Sequence, residues 1–261
     1  MKQYDHTFVV CAYKESQYLK DCIESLKNQS VPSNILIATS TPNEYIERIA
    51  EQYDLEVKVN PERKGIGYDF EFALNSGNTK FVTIAHQDDL YERDYVKDVM
   101  ETMDDSTIIS FTDYYEIHNG KKVSDNTNLK IKKILCAPLK KSKNQSKKFF
   151  KRFCLAFGNG ICCPSVTFNK EKVESNLFIS DMKSNIDWLA WEKLSRKTGK
   201  FNYINHPLMC HRIHEESETS HVIASNSRFQ EDYYMFQYFH IKPIAYLIAK
   251  FYSLSEKNNE A

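Results

Sequence analysis

The sequence predicts an α/β fold in which helices cover both faces of a mostly parallel central sheet, followed by a loop-rich C-terminal extension. Three observations support this prediction. Over the first 115 residues, short apolar runs alternate with segments of helical spacing, as expected for strands joined by crossover helices. One of those runs, residues 81–86, stops abruptly at a polar cluster. After about residue 116 the alternation ends, and loops and aromatic residues become frequent.

Each strand expected in the first half is a short apolar run bounded by polar residues, which is typical of buried parallel strands. These strands cover residues 7–12, 35–38, 56–59, 81–86 and 108–111. Helices are expected between them, because apolar residues recur there every three or four positions. Ser16 can cap the first helix, and Gly77 can end the third. The second begins with a capping-box pattern from Thr41 to Glu44, with Pro42 at its first helical position.

The second half of the chain contains fewer regular patterns. Residues 157–167 form a glycine-punctuated loop that leads into a strand. Ser184 can cap an amphipathic helix that contains both tryptophans of the chain and has Asp187 in its first turn. The helix N-terminus should favour the ionised form of that carboxylate. Residues 226–254 are rich in aromatic residues and have a helical pattern.

The overall composition excludes several classes of protein. The 261 residues include 35 basic and 35 acidic ones, so no global field attracts nucleic acid. The seven cysteines form no CxxC pair, and we interpret them as reduced thiols of a cytosolic protein. A signal peptide is not expected before the first strand, and no stretch approaches the roughly 20 apolar residues of a membrane span.

The polar cluster after the fourth expected strand contains His86, Gln87, Asp88 and Asp89. Ligands of open α/β sheets bind just beyond the carboxyl ends of such strands. Two carboxylates and an imidazole in that position suit Mg²⁺ or Mn²⁺, and the phosphates that these ions carry. In the alternative interpretation, the two acids only open the next helix, where negative charge is favoured.

The segment from Lys130 to Arg152 contains many lysines and no acidic residue. It can be a solvated loop and helix face. It can also be attracted to an anionic lipid surface or to a polyphosphate, in which case the protein is cytoplasmic and peripheral at the inner face of the membrane.

Several short motifs, in this order, resemble those of a family 2 glycosyltransferase with the GT-A fold, and the resemblance covers roughly residues 5–220. The motifs are residues 8–15, the Lys64–Gly67 loop, His86–Asp89, Thr112–Asp113, Gly158–Gly160 with Pro164–Ser165, Asn185–Trp188 and His211–Thr219. The resemblance implies a single GT-A-like domain over residues 1–261. Its donor-binding half is expected at about 1–115 and its acceptor-binding half at about 116–261.

The resemblance also implies a reaction. The family moves a sugar from a nucleotide-sugar donor to an acceptor, here a glycan or a lipid-linked glycan of cell-surface or capsular polysaccharide. Mn²⁺ or Mg²⁺ on Asp88 and Asp89 neutralises the departing diphosphate, and His214 or His211 completes the metal site. Asp187 matches the base that deprotonates the acceptor hydroxyl in an inverting displacement, and Asp181 is the fallback.

The same resemblance implies two further sets of contacts. Donor-binding residues are Ala12, Tyr13, Glu15, Thr39, Ser40, Lys64, Gly65, Asp69, His86, Gln87 and Arg212, of which Arg212 can pair with phosphate. Acceptor-side residues are Asn159, Gly160 and Trp188. The histidines at 211 and 214 would point to opposite faces of a strand but to the same face of a helix. If this segment is a strand, at most one of them is expected to face the site.

Two departures from the family pattern keep other functions open. His86 stands where an acid is frequent, and residues 38–43 lack the acidic motif that helps to recognise the nucleoside. A catalytically lapsed nucleotide-sugar binding module is therefore one alternative. A nucleotidyltransferase is another, although residues 12–16 lack the glycine-rich loop that it would need. A metal hydrolase built on His86, Asp88 and the two C-terminal histidines is a third.

Overall fold

The structure is a computed structural model that describes residues 5–214 and 227–257. The strands in these ranges are β1 (His6–Ala12), β2 (Asn34–Thr39), β3 (Glu56–Val59), β4 (Phe81–His86), β5 (Leu90–Tyr91), β6 (Thr107–His118), β7 (Lys121–Val123), β8 (Val166–Asn169) and β9 (Lys200–Arg212). The α-helices are α1 (Leu19–Lys27), α2 (Glu44–Tyr53), α3 (Ile66–Ser76), α4 (Tyr95–Thr102), α5 (Thr127–Cys136), α6 (Ser142–Gln145), α7 (Lys148–Phe153), α8 (Ile186–Ser195), α9 (Ser227–Phe236) and α10 (Lys242–Lys257).

All of these strands belong to one sheet, in the order β3-β2-β1-β4-β8-β6-β9-β5, with β7 paired to β6. The longest pairings are parallel and join β1 to β2, β1 to β4 and β6 to β9. Strand β8 runs antiparallel between β4 and β6. The predicted α/β fold with a mostly parallel sheet is therefore confirmed. Since β1, β2 and β4 run in the same direction, the residues that follow their carboxyl ends gather at one edge of the sheet.

Helices pack on both faces of the sheet, and the alternation of side chains along β1 shows why. Val9 belongs to one core cluster, which contains Trp188 and Trp191 of α8. Its neighbours Phe8 and Val10 belong to the other cluster, which contains the buried residues of α1, α2 and α4. Successive side chains of a strand point to opposite faces, so a strand that is apolar throughout is buried on both sides.

Some element boundaries differ from those that the sequence predicts. Helix α2 begins at Glu44 because the Asn43 side chain, rather than that of Thr41, accepts a hydrogen bond from the backbone N–H of Ile46 at 3.0 Å. Helix α1 begins only at Leu19, and its N-terminus has no side-chain cap. The N-cap of α8 is Asn185. In each case the expected cap lies one or more residues too early.

Strand β6 is much longer than the expected residues 108–111, because its second half pairs with the second half of β9 from Tyr114 to Ile117. Irregular register around Asp113 allows both halves to pair. No helix within the described ranges is long and apolar enough to cross a membrane.

Candidate active site

A cleft of about 1050 Å³ opens at the carboxyl ends of β1, β2 and β4. The first half of the chain contributes the loops after these strands and the start of α3 to its wall. The second half contributes the loop before β8, the start of α8 and the end of β9. The predicted site residues that line it are Tyr13, Glu15, Ser40, Gly65, Asp69, His86, Gln87, Asp88, Asn159, Asp187 and His214. The strand arrangement thus brings together most of the residues that the motifs indicated.

The backbone of the loop after β1 is fixed by hydrogen bonds to side chains of two neighbouring loops. The amide of Gln87 accepts from the Tyr13 N–H and donates to the Tyr13 carbonyl, both at 3.0 Å. Lys14 has a φ of 55°, in the left-handed region, and its N–H donates to the Thr41 hydroxyl at 2.6 Å. That region costs an ordinary residue about 1–2 kcal/mol, which these contacts offset. Side chains that follow β2 and β4 therefore fix this part of the cleft rim.

Asp69, in the first turn of α3, contacts the residues that follow β2 and β3. Its carboxylate accepts hydrogen bonds from the Ser40 hydroxyl at 3.0 Å and from the Asn60 amide at 2.9 Å. Burial raises the pKa of Asp69, and these two donors oppose the effect. The Asp69 carboxylate is thus held at the cleft wall, where it can accept hydrogen bonds from a ribose or a base.

His86, Asp88 and Asp89 form a group whose ligand atoms all lie within 4.8 Å of one another. The His86 ring stacks on Phe70, and its buried Nε2 has no hydrogen-bond partner. The other ring nitrogen, His86 Nδ1, lies 3.8 Å from Asp89 Oδ2, so an imidazole nitrogen and carboxylate oxygens converge in this group. Carboxylate oxygens suit Mg²⁺ and Mn²⁺, so the residues present fit a divalent cation.

The last strand brings two histidines to this acidic pair. His214 Nε2 lies 2.8 Å from Asp88 Oδ2, and His211 Nδ1 lies 3.1 Å from Asp89 Oδ1. The expectation that at most one of them would face the site holds only for a continuous strand. It assumed that the strand continues, whereas β9 ends at Arg212 and His214 lies beyond it. Beyond β9 the side chains no longer alternate between the two faces of the sheet, and both imidazoles therefore contact the cluster.

Arg212 is held behind the cluster rather than in the cleft. Its backbone N–H donates to Asp89 Oδ1 and its Nε donates to the Asp88 carbonyl, both at 3.0 Å. Its guanidinium lies 4.2 Å from the centre of the Tyr18 ring. Asp89 itself is fully buried. Arg212 and Asp89 therefore connect the end of β9 to the loop after β4, and Asp88 is the acid of the pair that faces the cleft.

The charges of this cluster shift two pKa values. Burial alone would raise the pKa of Asp88, but the hydrogen bond from His214 and the nearby His86 and His211 hold it below its usual value. Burial would lower the pKa of His211, but the facing Asp89 carboxylate raises it above its usual value. Asp88 is thus kept ionised, as a cation ligand must be.

Asp187 lies in the same cleft, in the first turn of α8. It accepts hydrogen bonds from the Asn159 amide at 2.8 Å and from the backbone N–H of Trp188 at 2.7 Å. Burial raises the pKa of Asp187, although both hydrogen bonds oppose the effect. The helix N-terminus therefore does not set the ionisation of this group as expected. A carboxylate with a raised pKa is a stronger base at neutral pH.

Six of the predicted donor and acceptor residues do not line this cleft. Ala12, Thr39 and Trp188 are buried within the fold, and Arg212 lies behind the acidic cluster. Lys64 is exposed and pairs with Glu62 at 3.0 Å, whereas its neighbour Arg63 lines the cleft. Gly160 contacts Cys136, whose Sγ is 3.4 Å from the Gly160 carbonyl. The fallback base Asp181 is exposed and does not line the cleft.

Lys132 and Tyr114 line the cleft although the sequence did not indicate them. Lys132 Nζ donates to the Tyr114 hydroxyl at 2.7 Å. The basic segment was interpreted as a surface, and only part of it is one. Lys151 is buried and donates to the backbone carbonyls of residues 197 and 199, and Arg152 pairs with Glu192. Little in the sequence indicated this position, because Ile131 precedes Lys132 but another lysine, Lys133, follows it.

Comparisons with known proteins agree with this arrangement. A family model described as glycosyl transferase family 2 matches residues 7–178. EpsH from Bacillus subtilis (strain 168), whose name gives glycosyltransferase as an inferred activity, is 27% identical over 113 residues. That match covers 41% of this chain and only 33% of EpsH.

Two solved structures share the fold. S. aureus TarS 1-349 in complex with UDP-GlcNAc has a TM-score of 0.66 at 16% identity, over 94% of this chain and 70% of TarS 1-349. The mannosyltransferase PcManGT from Pyrobaculum calidifontis, in complex with GDP-Man and Mn²⁺, has a TM-score of 0.63 at 15% identity, over 100% of this chain and 76% of PcManGT.

Proposed function

Because this chain belongs to glycosyl transferase family 2, we propose that it moves a sugar from a nucleotide-sugar donor to a hydroxyl of a glycan or lipid-linked acceptor. The observation that carries the proposal is that a metal-type cluster and a partly buried carboxylate, Asp187, line the same cleft. We assign the donor to the half formed by residues 1–115 and the acceptor to the half that follows. Cell-surface or capsular polysaccharide is the acceptor class that we favour.

We assign the parts of a nucleotide sugar to separate groups of residues in the donor half. We assign the nucleoside to Ser40 and Asp69, which line the cleft together with the loop from Tyr13 to Glu15. Asp88 and His86 would hold Mn²⁺ or Mg²⁺, which, when bound, would neutralise charge on the diphosphate. The complexes of TarS with UDP-GlcNAc and of PcManGT with GDP-Man and Mn²⁺ support donors of this class.

On the acceptor side, Asp187 takes the proton of the acceptor hydroxyl. The oxygen of that hydroxyl bonds to the anomeric carbon in the same step. The bond from that carbon to the donor phosphate oxygen breaks on the opposite face, so a single displacement inverts the centre. Asn159 and the Trp188 N–H fix the Asp187 carboxylate, and fixed geometry is what makes proton transfer effective. We assign His214, which contacts Asp88, to the departing phosphate.

Two variants test the separate roles of the cluster and the base. Thermal shift with nucleotide sugars, with and without Mn²⁺, measures donor binding. A ligand at 100 times its dissociation constant stabilises a protein by about 2.7 kcal/mol. We expect Asp88→Asn to lose the Mn²⁺-dependent shift. We expect Asp187→Asn to keep that shift and to lower turnover by about 10²–10⁴-fold.

Asp181→Asn is the matched control, because Asp181 is an exposed acid near α8 that does not line the cleft. It should leave both measurements unchanged. A wild-type protein that binds donor but neither transfers nor hydrolyses it would identify a lapsed binding module. If Asp187→Asn weakens donor binding and spares turnover, Asp187 is not the base.

A further inference from the structure

The outer side of α10 is apolar although it faces solvent. Ile244, Leu247 and Phe251 are exposed, and Phe251 is 71% exposed. Their spacing of three and four residues places them in one stripe along the helix. The opposite side of α10, with Ala245 and Ala249, is fully buried. The helix therefore has two apolar sides, of which one packs into the core and the other is exposed to solvent.

This stripe is continued by aromatic residues of α7 and of the loop before β8. The ring of Phe149, 70% exposed, is followed by those of Phe153 and Phe157, with successive centroids 6.4 and 6.1 Å apart. Phe157 contacts the ring of His240 at 5.1 Å, and the next residue is Ile241, 69% exposed. We call the surface formed by Phe149, Phe153, Phe157, Ile241, Ile244, Leu247 and Phe251 the apolar face. Large contiguous patches of this kind mark interaction sites.

The apolar face is bordered by positive charge. Exposed lysines surround α6 and α7, at positions 140, 141, 143, 147 and 148, and α10 adds Lys242 and Lys250. Residues 126–170 contain no acidic residue, and neither do residues 233–255. An apolar helix side with basic neighbours suits the interface of an anionic bilayer. A second copy of the chain fits less well, because a symmetric contact would place these lysines against each other.

The apolar face lies beside the acceptor end of the cleft. Phe157 is two residues before Asn159, whose side chain holds Asp187. Tyr252 of α10 lines the cleft, and its ring occupies the space beside Gly158, where an added Cβ would lie 3.0 Å from the ring. A molecule anchored in a bilayer under this face would therefore have its head group close to the candidate base.

We propose that the apolar face docks on an anionic lipid bilayer and presents the cleft to a lipid-linked acceptor at that surface. The docking stands on exposure and charge alone, whereas the delivery of an acceptor rests on the proposed transfer reaction. Apolar side chains enter the boundary between head groups and acyl chains, and the lysines contact anionic head groups. We expect this docking to be reversible, because the α10 stripe is short and enters only the boundary between head groups and acyl chains.

Sedimentation with vesicles tests the docking without any donor or acceptor. The wild-type protein should bind phosphatidylcholine vesicles that contain phosphatidylglycerol much more strongly than pure phosphatidylcholine, and salt should weaken the binding. The double variant Leu247→Ser, Phe251→Ser should lose roughly tenfold or more in partitioning. The double variant Lys147→Glu, Lys148→Glu should bind anionic vesicles about fivefold more weakly for each lysine that is replaced.

Matched controls come from two parts of the fold outside the apolar face. Val59→Ser changes a residue of β3 that is 48% exposed, and Lys97→Glu reverses an exposed lysine of α4. Neither should change vesicle binding. The absence of binding to anionic vesicles at low salt would overturn the proposal, and so would an equal loss in the controls.

Two further measurements separate the remaining outcomes. If sedimentation velocity without vesicles shows a dimer that the α10 double variant dissociates, the face is a subunit interface and the proposal fails. The Mn²⁺-dependent thermal shift with nucleotide sugars should be retained by the α10 double variant. If docking is retained while no nucleotide sugar binds and no lipid-linked acceptor is modified, the proposed transfer fails and the docking stands.

Discussion

The carboxylate of Asp89 attaches the end of β9 to the acidic cluster. It is fully buried and accepts hydrogen bonds from the His211 ring and from the Arg212 N–H. Asp88, one residue earlier, lines the cleft and contacts His214. Adjacent acids thus have different tasks, since one faces the cleft and the other is enclosed by the fold.

We expect Asp89→Asn to destabilise the protein itself. The change leaves the buried His211 without its counter-charge, and losing a hydrogen bond to a charged group costs about 2 kcal/mol. In a protein of this size each kcal/mol lowers Tm by roughly 2–4 °C, so thermal unfolding should show a loss of about 4–8 °C. Asp98→Asn removes a more exposed acid paired with His206 and should change Tm by much less. Equal shifts in both variants would contradict this role.

Lys132 is a positively charged residue of the cleft wall that sequence patterns did not indicate. Its charge lowers the pKa of Asp187, against the larger effect of burial. Lys132→Met should therefore raise the pKa of Asp187 further and move the acidic limb of the kcat/KM profile to higher pH. Lys133→Met is the control, because Lys133 Nζ donates to the Ser124 carbonyl and does not line the cleft. An unchanged acidic limb in Lys132→Met would exclude this coupling.

At the scale of elements, β1 begins with a buried histidine whose neutral form the fold requires. His6 Nδ1 lies 2.7 Å from the Ser33 hydroxyl, and Nε2 lies 3.0 Å from the Thr83 hydroxyl. Burial lowers the pKa of His6 to about 3. This histidine therefore connects β1 to β4 and to the loop before β2 only while it is uncharged.

The sign of the pH effect follows directly. The unfolded chain binds a proton at His6 below about pH 6.5, whereas the folded chain binds one only near pH 3. The contribution of His6 to the free energy of unfolding is therefore fully present above pH 6.5 and is lost as the pH is lowered towards 3. His6 alone should cost about 2 kcal/mol between pH 7 and pH 5. Urea unfolding at both pH values measures it, and His6→Gln should show a smaller difference. An equal difference in His6→Gln would assign the acid sensitivity to other groups.

How much of these elements could be predicted from sequence depends on what determines each one. Strands β1 and β4 are short apolar runs, and burial on both faces makes such runs recognisable. The start of α2 was misplaced because two neighbouring side chains, Thr41 and Asn43, can cap it, and only the fold decides which one reaches an N–H. The length of β6 depends on its partner β9, which is distant in sequence. The inward turn of Lys132 likewise depends on the distant Tyr114.

At the scale of the whole molecule, the site is assembled from segments that are far apart in the chain. The acidic cluster follows β4, and the candidate base lies in the first turn of α8. His211 is one of the last two residues of β9, and His214 follows that strand. The acidic cluster could be predicted because parallel strands place their carboxyl ends together, whereas Asp187 and the two histidines were expected only from the resemblance to the family. The joint arrival of His211 and His214 could not be predicted, because it depends on where β9 ends.

The position of β9 within the sheet has a consequence for dissecting this protein into fragments. The family match stops at residue 178, yet β9 fills the place between β6 and β5. A fragment cut at that boundary would leave the long strand β6 with a row of unpaired backbone groups, which is a template for self-association. We expect residues 1–178 to be recovered as aggregates, whereas the full chain is recovered as a soluble species in size-exclusion chromatography. A monomeric, cooperatively folding fragment would contradict this expectation, and it would mean that β6 tolerates being an edge.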